Sequence, residues 1–203
     1  ATCRRPEEAE TLLALQKASP NISIEQLDVS NDQELLSLAS KLTGTSIDLL
    51  VLNAGIKGSR EKQHLGSLEA ADLMEVLRVN SVAPLLIAQA FAPHVKASER
   101  KQIVCCSSGV GCIGDNTSGG MTQYRVSKAA LNMAMQEIAV AGKQDGVHVL
   151  CLVPGWVRTD MGGPNGRLSP EESVGGLLNE VVHKYLSLPS GGLYDYSGKL
   201  WPW

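Results

Sequence analysis

A tyrosine and a lysine stand four residues apart at the start of a long segment with helical spacing. Residues at positions i and i+4 lie on one face of an α-helix, so the Lys128 ammonium is expected beside the Tyr124 phenol. A nearby cation favours the phenolate and lowers a tyrosine pKa from about 10. The pair therefore predicts a proton donor and acceptor that works near neutral pH. The spacing alone favours an amphipathic helix that carries both residues by chance, and the surrounding motifs reverse that preference.

The elements that must position this pair are strands and helices that alternate along the chain. Apolar runs of strand length end near Cys3 and Leu27, and others are predicted over 47–52, 103–106 and 147–153. Helical spacing is found over 68–76, 81–95, 123–141 and 171–186. The alternation predicts an α/β fold of Rossmann type, a doubly wound parallel sheet with helices on both faces. No repeat, linker or low-complexity tract interrupts it, so residues 1–203 are expected to form a single domain.

Small, polar or turn-forming residues follow every predicted strand. Doubly wound sheets bind ligands beyond the carboxyl ends of their strands, so these residues are the candidates for a binding site. In chain order they are Arg4, Asp28-Val29, Asn53-Ala54-Gly55, Ser107-Ser108 and Pro154-Gly155.

Several of these segments together resemble the short-chain dehydrogenase/reductase family. The matching residues are Ile103–Gly111 followed by Tyr124 and Lys128, Asn53-Ala54-Gly55, Asn80, and Pro154-Gly155-Trp156-Val157-Arg158-Thr159. Within the family, Asn116–Gly120 and the ending Tyr196–Trp203 resemble the C-factor and sniffer-type carbonyl reductase branch. The resemblance covers essentially the whole chain.

The resemblance implies a reduction of ketones or aldehydes by four catalytic residues. Ser108 would polarise the substrate carbonyl; it is preferred to Ser107 because the family's serine stands three residues before the glycine matched by Gly111. Tyr124 would protonate the carbonyl oxygen, Lys128 would hold the nicotinamide ribose and lower the Tyr124 pKa, and Asn80 would support a water-mediated proton relay. The same residues could run the reaction as an alcohol dehydrogenase.

The resemblance also implies a cofactor site, and the residues favour NADP(H). In proteins that bind NAD, an acidic residue after the second sheet strand accepts hydrogen bonds from the ribose hydroxyls. Here that strand is followed by Arg4 and Arg5, and no acidic residue comes before Glu7. Guanidinium groups pair well with a phosphate, such as the one that distinguishes NADP from NAD. Asp28 and Val29 would lie beside the adenine. The other implied cofactor contacts are Asn53, Ala54, Gly55, Tyr124, Lys128, Pro154, Gly155, Val157 and Thr159.

A Gly-x-Gly-x-x-Gly pattern at Gly109–Gly114 is not the dinucleotide fingerprint, because loop residues follow it instead of a helix. In the family that fingerprint lies upstream of the strand ending at Cys3, so the resemblance implies an N-terminally incomplete domain. The strands ending near Cys3 and Leu27 should then lack the strand that links them to the one ending at Leu52. The alternative function is a non-catalytic or truncated relative that acts as a signalling or binding protein.

Composition excludes several other classes. A net charge of -3 with a pI near 5.8 argues against nucleic acid as a partner. No apolar stretch approaches the roughly 18–20 residues that span a bilayer, so no membrane partner is expected. Five cysteines without a Cys-x-x-Cys pair predict neither disulfides nor a metal site. A cytoplasmic protein acting on a small-molecule carbonyl substrate is expected.

Two further expectations concern apolar residues outside the predicted sheet. Trp156, Met161, Leu168, Leu177 and Leu178 could form an apolar lid that suits bulky carbonyls, or could simply pack the last helix. The helices over 81–95 and 123–141 carry apolar residues on more than one face, which predicts a homodimer, as the resemblance also does.

Overall fold

The computed structural model describes residues 1–203, which divide into two compact units, Ala1–Thr45 and Ser46–Trp203. In the first unit two short strands pair in parallel, Thr2 with Glu25 and Cys3 with Gln26. Its elements are β1 (Thr2–Cys3), α1 (Glu10–Ala18), β2 (Glu25–Gln26) and α2 (Asp32–Lys41). The assignment of the whole chain to one domain stays a prediction.

The second unit contains a five-stranded sheet whose strands follow one another in chain order. The strands are β3 (Leu49–Leu52), β4 (Gln102–Cys106), β5 (His148–Val153), β6 (Leu193–Asp195) and β7 (Leu200–Trp201). All pairs are parallel except the last, which is antiparallel. The central strands β4 and β5 are almost entirely buried, as continuous apolar runs require. The predicted parallel α/β fold is confirmed.

Strand β3 is hydrogen-bonded to another strand on one side only. It pairs with β4, and neither β1 nor β2 pairs with it. Val51, in the middle of this strand, is 54% exposed, whereas the neighbouring residues of β4 are buried. The two sheets are therefore separate in hydrogen bonding, as the sequence predicts for strands without a linking partner.

Four helices cover the sheet of the second unit: α3 (Ala70–Leu77), α4 (Ala83–Lys96), α5 (Thr122–Gly142) and α6 (Pro170–Gly176). A π-helical turn, Arg78–Val82, joins α3 to α4 without a break, and another, Leu177–Val182, continues α6. The sequence predicts α3 and α4 as separate helices. The π turn holds one additional residue, which shifts the apolar period and gives the appearance of a boundary.

The continuous helix Ala70–Lys96 has 27 residues and a mean hydropathy of 1.3, so its length and composition would allow it to cross a membrane. The expectation that no stretch approaches spanning length is wrong on this point. However, Val76, Ile87, Phe91 and Val95 are buried inside the second unit. Such burial is typical of a core helix.

A core cluster lies between the sheet and the segment that follows α6. Its buried members are Val104, Leu150, Leu152, Leu177, Val181, Val182 and Tyr194. Leu177 is therefore a core residue, and its assignment to an apolar lid is wrong. The periodicity of 171–186 could not distinguish these positions, because the π turn rotates Leu177 toward the sheet.

Candidate active site

The first turn of α5 is held by backbone contacts rather than by a side-chain cap. Met121 precedes the helix in the left-handed conformation, with φ 49° and ψ 41°, after two glycines that also have positive φ. The Thr122 N–H donates to the Gln63 carbonyl at 2.9 Å. The segment after β3 therefore fixes the start of the helix that carries Tyr124.

The structure brings Ser108, Tyr124 and Lys128 together at the carboxyl end of β4. The Ser108 side chain lies close enough to the Tyr124 phenol to favour its ionised form. The buried Lys128 ammonium donates to the Cys106 carbonyl at 2.8 Å and lies 5.6 Å from the centre of the Tyr124 ring. Ser107 points elsewhere and donates to the buried Asn132 side chain. These positions agree with the choice of Ser108 over Ser107.

The expected lowering of the Tyr124 pKa is wrong for the chain as it stands. Burial of the phenol raises the pKa of Tyr124 to about 12, and the nearby Ser108 side chain offsets this only in part. Lys128 is close, but its own pKa is lowered by burial and it points at the Cys106 carbonyl. The sequence reveals the i,i+4 spacing of Tyr124 and Lys128 but not the burial of the phenol, and this burial decides the direction of the pKa shift.

This raised pKa predicts how stability depends on pH in the cofactor-free protein. Below pH 10 the phenol is protonated in both the folded and the unfolded chain. Between pH 10 and about 12 only the unfolded chain ionises, so the free energy of unfolding falls as pH rises. We expect Tyr124→Phe to make this alkaline decline shallower in urea unfolding series. Parallel declines for the two proteins would contradict the burial of the phenol.

Asn80 lies on the π turn, is fully buried, and holds the loop after β3. Its Nδ2 donates to the Ile56 carbonyl at 2.8 Å and to Ser127 Oγ at 2.9 Å, and its Oδ1 accepts from the Ile56 N–H at 2.8 Å. Both amide N–H groups are thus used within the chain. The geometry supports a positioning role for the Asn80 side chain, while the water-mediated relay stays a prediction.

The Gly-x-Gly-x-x-Gly segment opens with a 3-10 turn, Gly109–Gly111, and no α-helix follows directly, as predicted. Gly111 packs against the catalytic helix: a Cβ at this position would lie 2.8 Å from the Lys128 carbonyl carbon and 2.9 Å from its Cβ. Its missing side chain lets α5 approach β4 closely. Gly111 therefore has a packing role beside Lys128.

The loop after β3 has features that fit a nicotinamide ribose. Asn53 and Ala54 are exposed, and a Cβ on Gly55 would lie 3.5 Å from Lys128 Nζ. The Lys128 ammonium has three N–H donors, of which the Cys106 carbonyl takes one. Exposed backbone, a phenol and an ammonium with donors to spare are groups that can bind ribose hydroxyls.

The segment after β5 folds back on itself. Val157 and Leu168 form a β-bridge, the Trp156 indole N–H donates to the Gly162 carbonyl at 2.7 Å, and Thr159 Oγ1 accepts from the Gly162 N–H at 3.1 Å. Pro154 is fixed by Ser173, whose hydroxyl donates to its carbonyl at 2.7 Å. Gly155 has a φ of 81°, which favours glycine. The predicted residues Pro154, Gly155, Val157 and Thr159 thus share one compact loop.

Three predicted cofactor residues belong to the first compact unit. Arg4 is exposed, and Asp28 and Val29 are half-buried. The Asp28 carboxylate accepts from the Ser30 N–H at 2.8 Å and from its hydroxyl at 2.6 Å. Their part in cofactor binding stays a prediction.

A separate cavity of about 440 Å³ lies at the amino ends of the strands, away from these residues. It is lined by Asp48, Glu99, Arg100, His183 and Tyr185. No predicted site residue borders it. We place the candidate active site at the carboxyl ends of the strands, because Ser108, Tyr124 and Lys128 lie there and doubly wound sheets bind their ligands at that edge.

The fold and the Ser-Tyr-Lys arrangement define a reductase-like α/β protein, and the chain belongs to the short chain dehydrogenase family, which it matches over residues 1–167. It is 34% identical to C-signal of Myxococcus xanthus over 82% of this chain and 99% of that protein. Among solved structures it is similar to the carbonyl reductase Sniffer of D. melanogaster (32% identity, TM-score 0.90) and to an NADPH-bound carbonyl reductase from chicken fatty liver (33%, 0.90). Each comparison covers 100% of this chain and 86% of the other.

Proposed function

We propose that this short-chain dehydrogenase reduces ketones or aldehydes to alcohols with NADPH. The observation that carries the proposal is the half-buried Tyr124 phenol, which lies beside Ser108 and has the Lys128 ammonium 5.6 Å from the centre of its ring. A Tyr124 pKa of about 12 keeps the phenol protonated at neutral pH. The protonated phenol is the form that can donate a proton to a carbonyl oxygen during reduction.

In this reaction Ser108 donates a hydrogen bond to the substrate carbonyl and polarises it. When bound, NADPH supplies the hydride for the carbonyl carbon. Tyr124 gives its proton to the oxygen that becomes the alcohol hydroxyl, and Lys128 stabilises the phenolate that remains until solvent reprotonates it. Asn80, through Ile56, keeps the loop after β3 in place beside Lys128.

The preference for NADPH has two supports. Arg4 is a cation where an acid would favour NAD. A related structure from Burkholderia multivorans, 33% identical with a TM-score of 0.90, contains bound NADP, and the chicken enzyme contains NADPH. Lys128, Tyr124, Asn53, Ala54 and Gly55 would hold the nicotinamide half.

Apolar side chains beside the site favour bulky apolar carbonyls. Trp156 is 51% exposed and Met161 43% exposed on the closed loop after β5, and Leu178 is 39% exposed. Leu168 is half-buried against Gly155 and supports the loop. A sugar would need more hydrogen-bonding groups than this surface offers.

The rate of NADPH consumption tests both the proposed cofactor and the proposed substrate class. We expect the protein to oxidise NADPH with an aromatic ketone at a kcat/KM at least about tenfold higher than with a simple sugar, because burial of an aromatic ring adds about 1.5–3 kcal/mol. NADH in place of NADPH serves as the matched control and should react more slowly. Equal rates with the ketone and the sugar would contradict the apolar lid.

We also propose a homodimer built on α4 and α5. Along α5, three apolar residues are exposed at intervals of seven: Val126, Met133 and Val140. Leu85 on α4 and Val82, directly before α4, are also exposed. Such a stripe on a helix whose opposite face is buried needs a second surface.

Sedimentation of the protein should therefore give twice the mass of the chain. Met133→Arg places a charge in the centre of the stripe and should yield the single-chain mass. The matched control is Val174→Arg, an exposed apolar residue on α6 outside the stripe, which should leave the dimer intact. A monomeric wild-type protein would overturn the proposal.

A second candidate function is supported by the match to C-signal over 99% of that protein's length. On this proposal the chain signals or binds a partner without catalysis. Calorimetric titration of the protein with NADPH separates the two candidates. Binding favours the reductase, while its absence favours the signalling role.

A further inference from the structure

Two buried glutamine side chains lie beside the first turn of the catalytic helix, outside the residues that the reaction uses. Gln123 directly precedes Tyr124 and is fully buried, and Gln63 is 3% exposed. The Gln123 Nε2 and Oε1 atoms and the Gln63 Oε1 atom have no hydrogen-bond partner within the chain. Buried amides are almost always hydrogen-bonded, because removing such a group from water without a partner is destabilising.

The two carboxamide groups lie close to each other. A Cβ on Gly58 would lie 2.7 Å from Gln123 Oε1 and 3.0 Å from Gln63 Nε2, so the two carboxamides face the same point of the backbone. Gly58 has a φ of 78°, and any side chain there would collide with both carboxamides, so the glycine lets the backbone approach them. The Gln63 amide also donates to the Lys57 carbonyl, which fixes its orientation.

From this geometry we infer that Gln63 and Gln123 form an internal water site that ties the loop after β3 to the catalytic helix. The three atoms without partners comprise one amide nitrogen and two carbonyl oxygens. A water molecule accepts from the nitrogen and donates to the oxygens, and a buried water needs two to four such partners.

The loop after β3 is also held in place by other contacts. Asn80 binds Ile56 at one end, and the Lys62 ammonium is 2.9 Å from the Glu69 carboxylate and 2.8 Å from that of Asp72. The Gln63 carbonyl accepts from the Thr122 N–H. The water site completes this clamp next to Tyr124, which makes Gln63 and Gln123 positioning residues for the phenol. The positioning role rests on the proposed reductase function.

Leucine substitutions distinguish a water site from two isolated amides. If the amides lacked any partner, Gln123→Leu or Gln63→Leu would remove a buried polar group and raise the melting temperature. If they share a water, each substitution lowers it by roughly 2–6 °C, and the double variant loses little more than the worse single variant. Gln136→Leu, farther along α5, is the matched control, and its effect should be independent of the other two.

A crystal structure of the protein that resolves ordered water tests the site directly. Density for a water hydrogen-bonded to both carboxamides is expected, and either its absence or a stabilising leucine overturns the site whether or not the protein is a reductase. For the positioning role, Gln123→Leu should lower kcat about tenfold with KM changed less than about twofold. An unchanged kcat in an active enzyme overturns that role while leaving the water site in place.

Discussion

Tyr124→Phe is expected to lower NADPH-dependent carbonyl reduction by about 100-fold or more, because it removes the only proposed proton donor to the carbonyl oxygen. The aromatic ring is half-buried and its packing should survive the loss of one hydroxyl. Cofactor affinity should stay within a few-fold, since Lys128 and the loop after β3 are unchanged. Steady-state kinetics and calorimetric titration with NADPH measure the two effects.

Tyr185→Phe is the matched control, because it removes a phenol of the same unit that lies near Arg100 and His148, at the other end of the sheet. It should leave the rate unchanged. Full activity of Tyr124→Phe would show that the proposed mechanism is wrong. Loss of both rate and NADPH binding would assign the phenol to the cofactor site instead of to proton transfer.

The site was predicted from the sequence to the extent that it depends on local spacing. Tyr124 and Lys128 are close because they stand four residues apart on one helix. Ser108 is near them because it follows a buried parallel strand, and ligand-facing residues of such folds gather at the carboxyl ends. The order of β3, β4 and β5 follows from the same alternation of strand and helix.

What the sequence could not reveal depends on contacts between distant segments. The Tyr124 pKa is set by burial, which no local pattern encodes, so the predicted direction was wrong. Gln63 and Gln123 are sixty residues apart and neither belongs to a motif. The short β6 and β7 strands form through pairing of Leu193 with Trp201, and the chain around them has the composition of a loop.

The sequence pattern also did not predict the two π turns, which bear on where the Asn80 and Leu177 side chains lie. One turn places Asn80 inside the protein, where it holds Ile56, and the other directs Leu177 into the core. Single π turns occur often at functional sites, because the additional residue redirects a side chain without ending the helix. The Asn80 case has a measurable consequence for stability.

Asn80→Leu is expected to lower the free energy of unfolding by about 2–4 kcal/mol, because three hydrogen bonds are lost and the Ile56 N–H and carbonyl are left without their partner. Leucine has the same branched arrangement of heavy atoms as asparagine and is larger, so the variant leaves no cavity, and the loss comes from these polar groups together with overpacking. Urea unfolding followed by circular dichroism measures it.

The neighbouring Ser81 provides the matched control on the same π turn. Its hydroxyl makes one buried hydrogen bond, to the Ser127 carbonyl at 2.7 Å, so Ser81→Ala should cost only about 1 kcal/mol. If Asn80→Leu were no more destabilising than Ser81→Ala, Asn80 would not be the anchor of the loop after β3. A larger loss in Asn80→Leu, accompanied by weaker NADPH binding, would connect the π turn to the cofactor site, because Gly55 directly precedes the anchored Ile56 and lies beside Lys128.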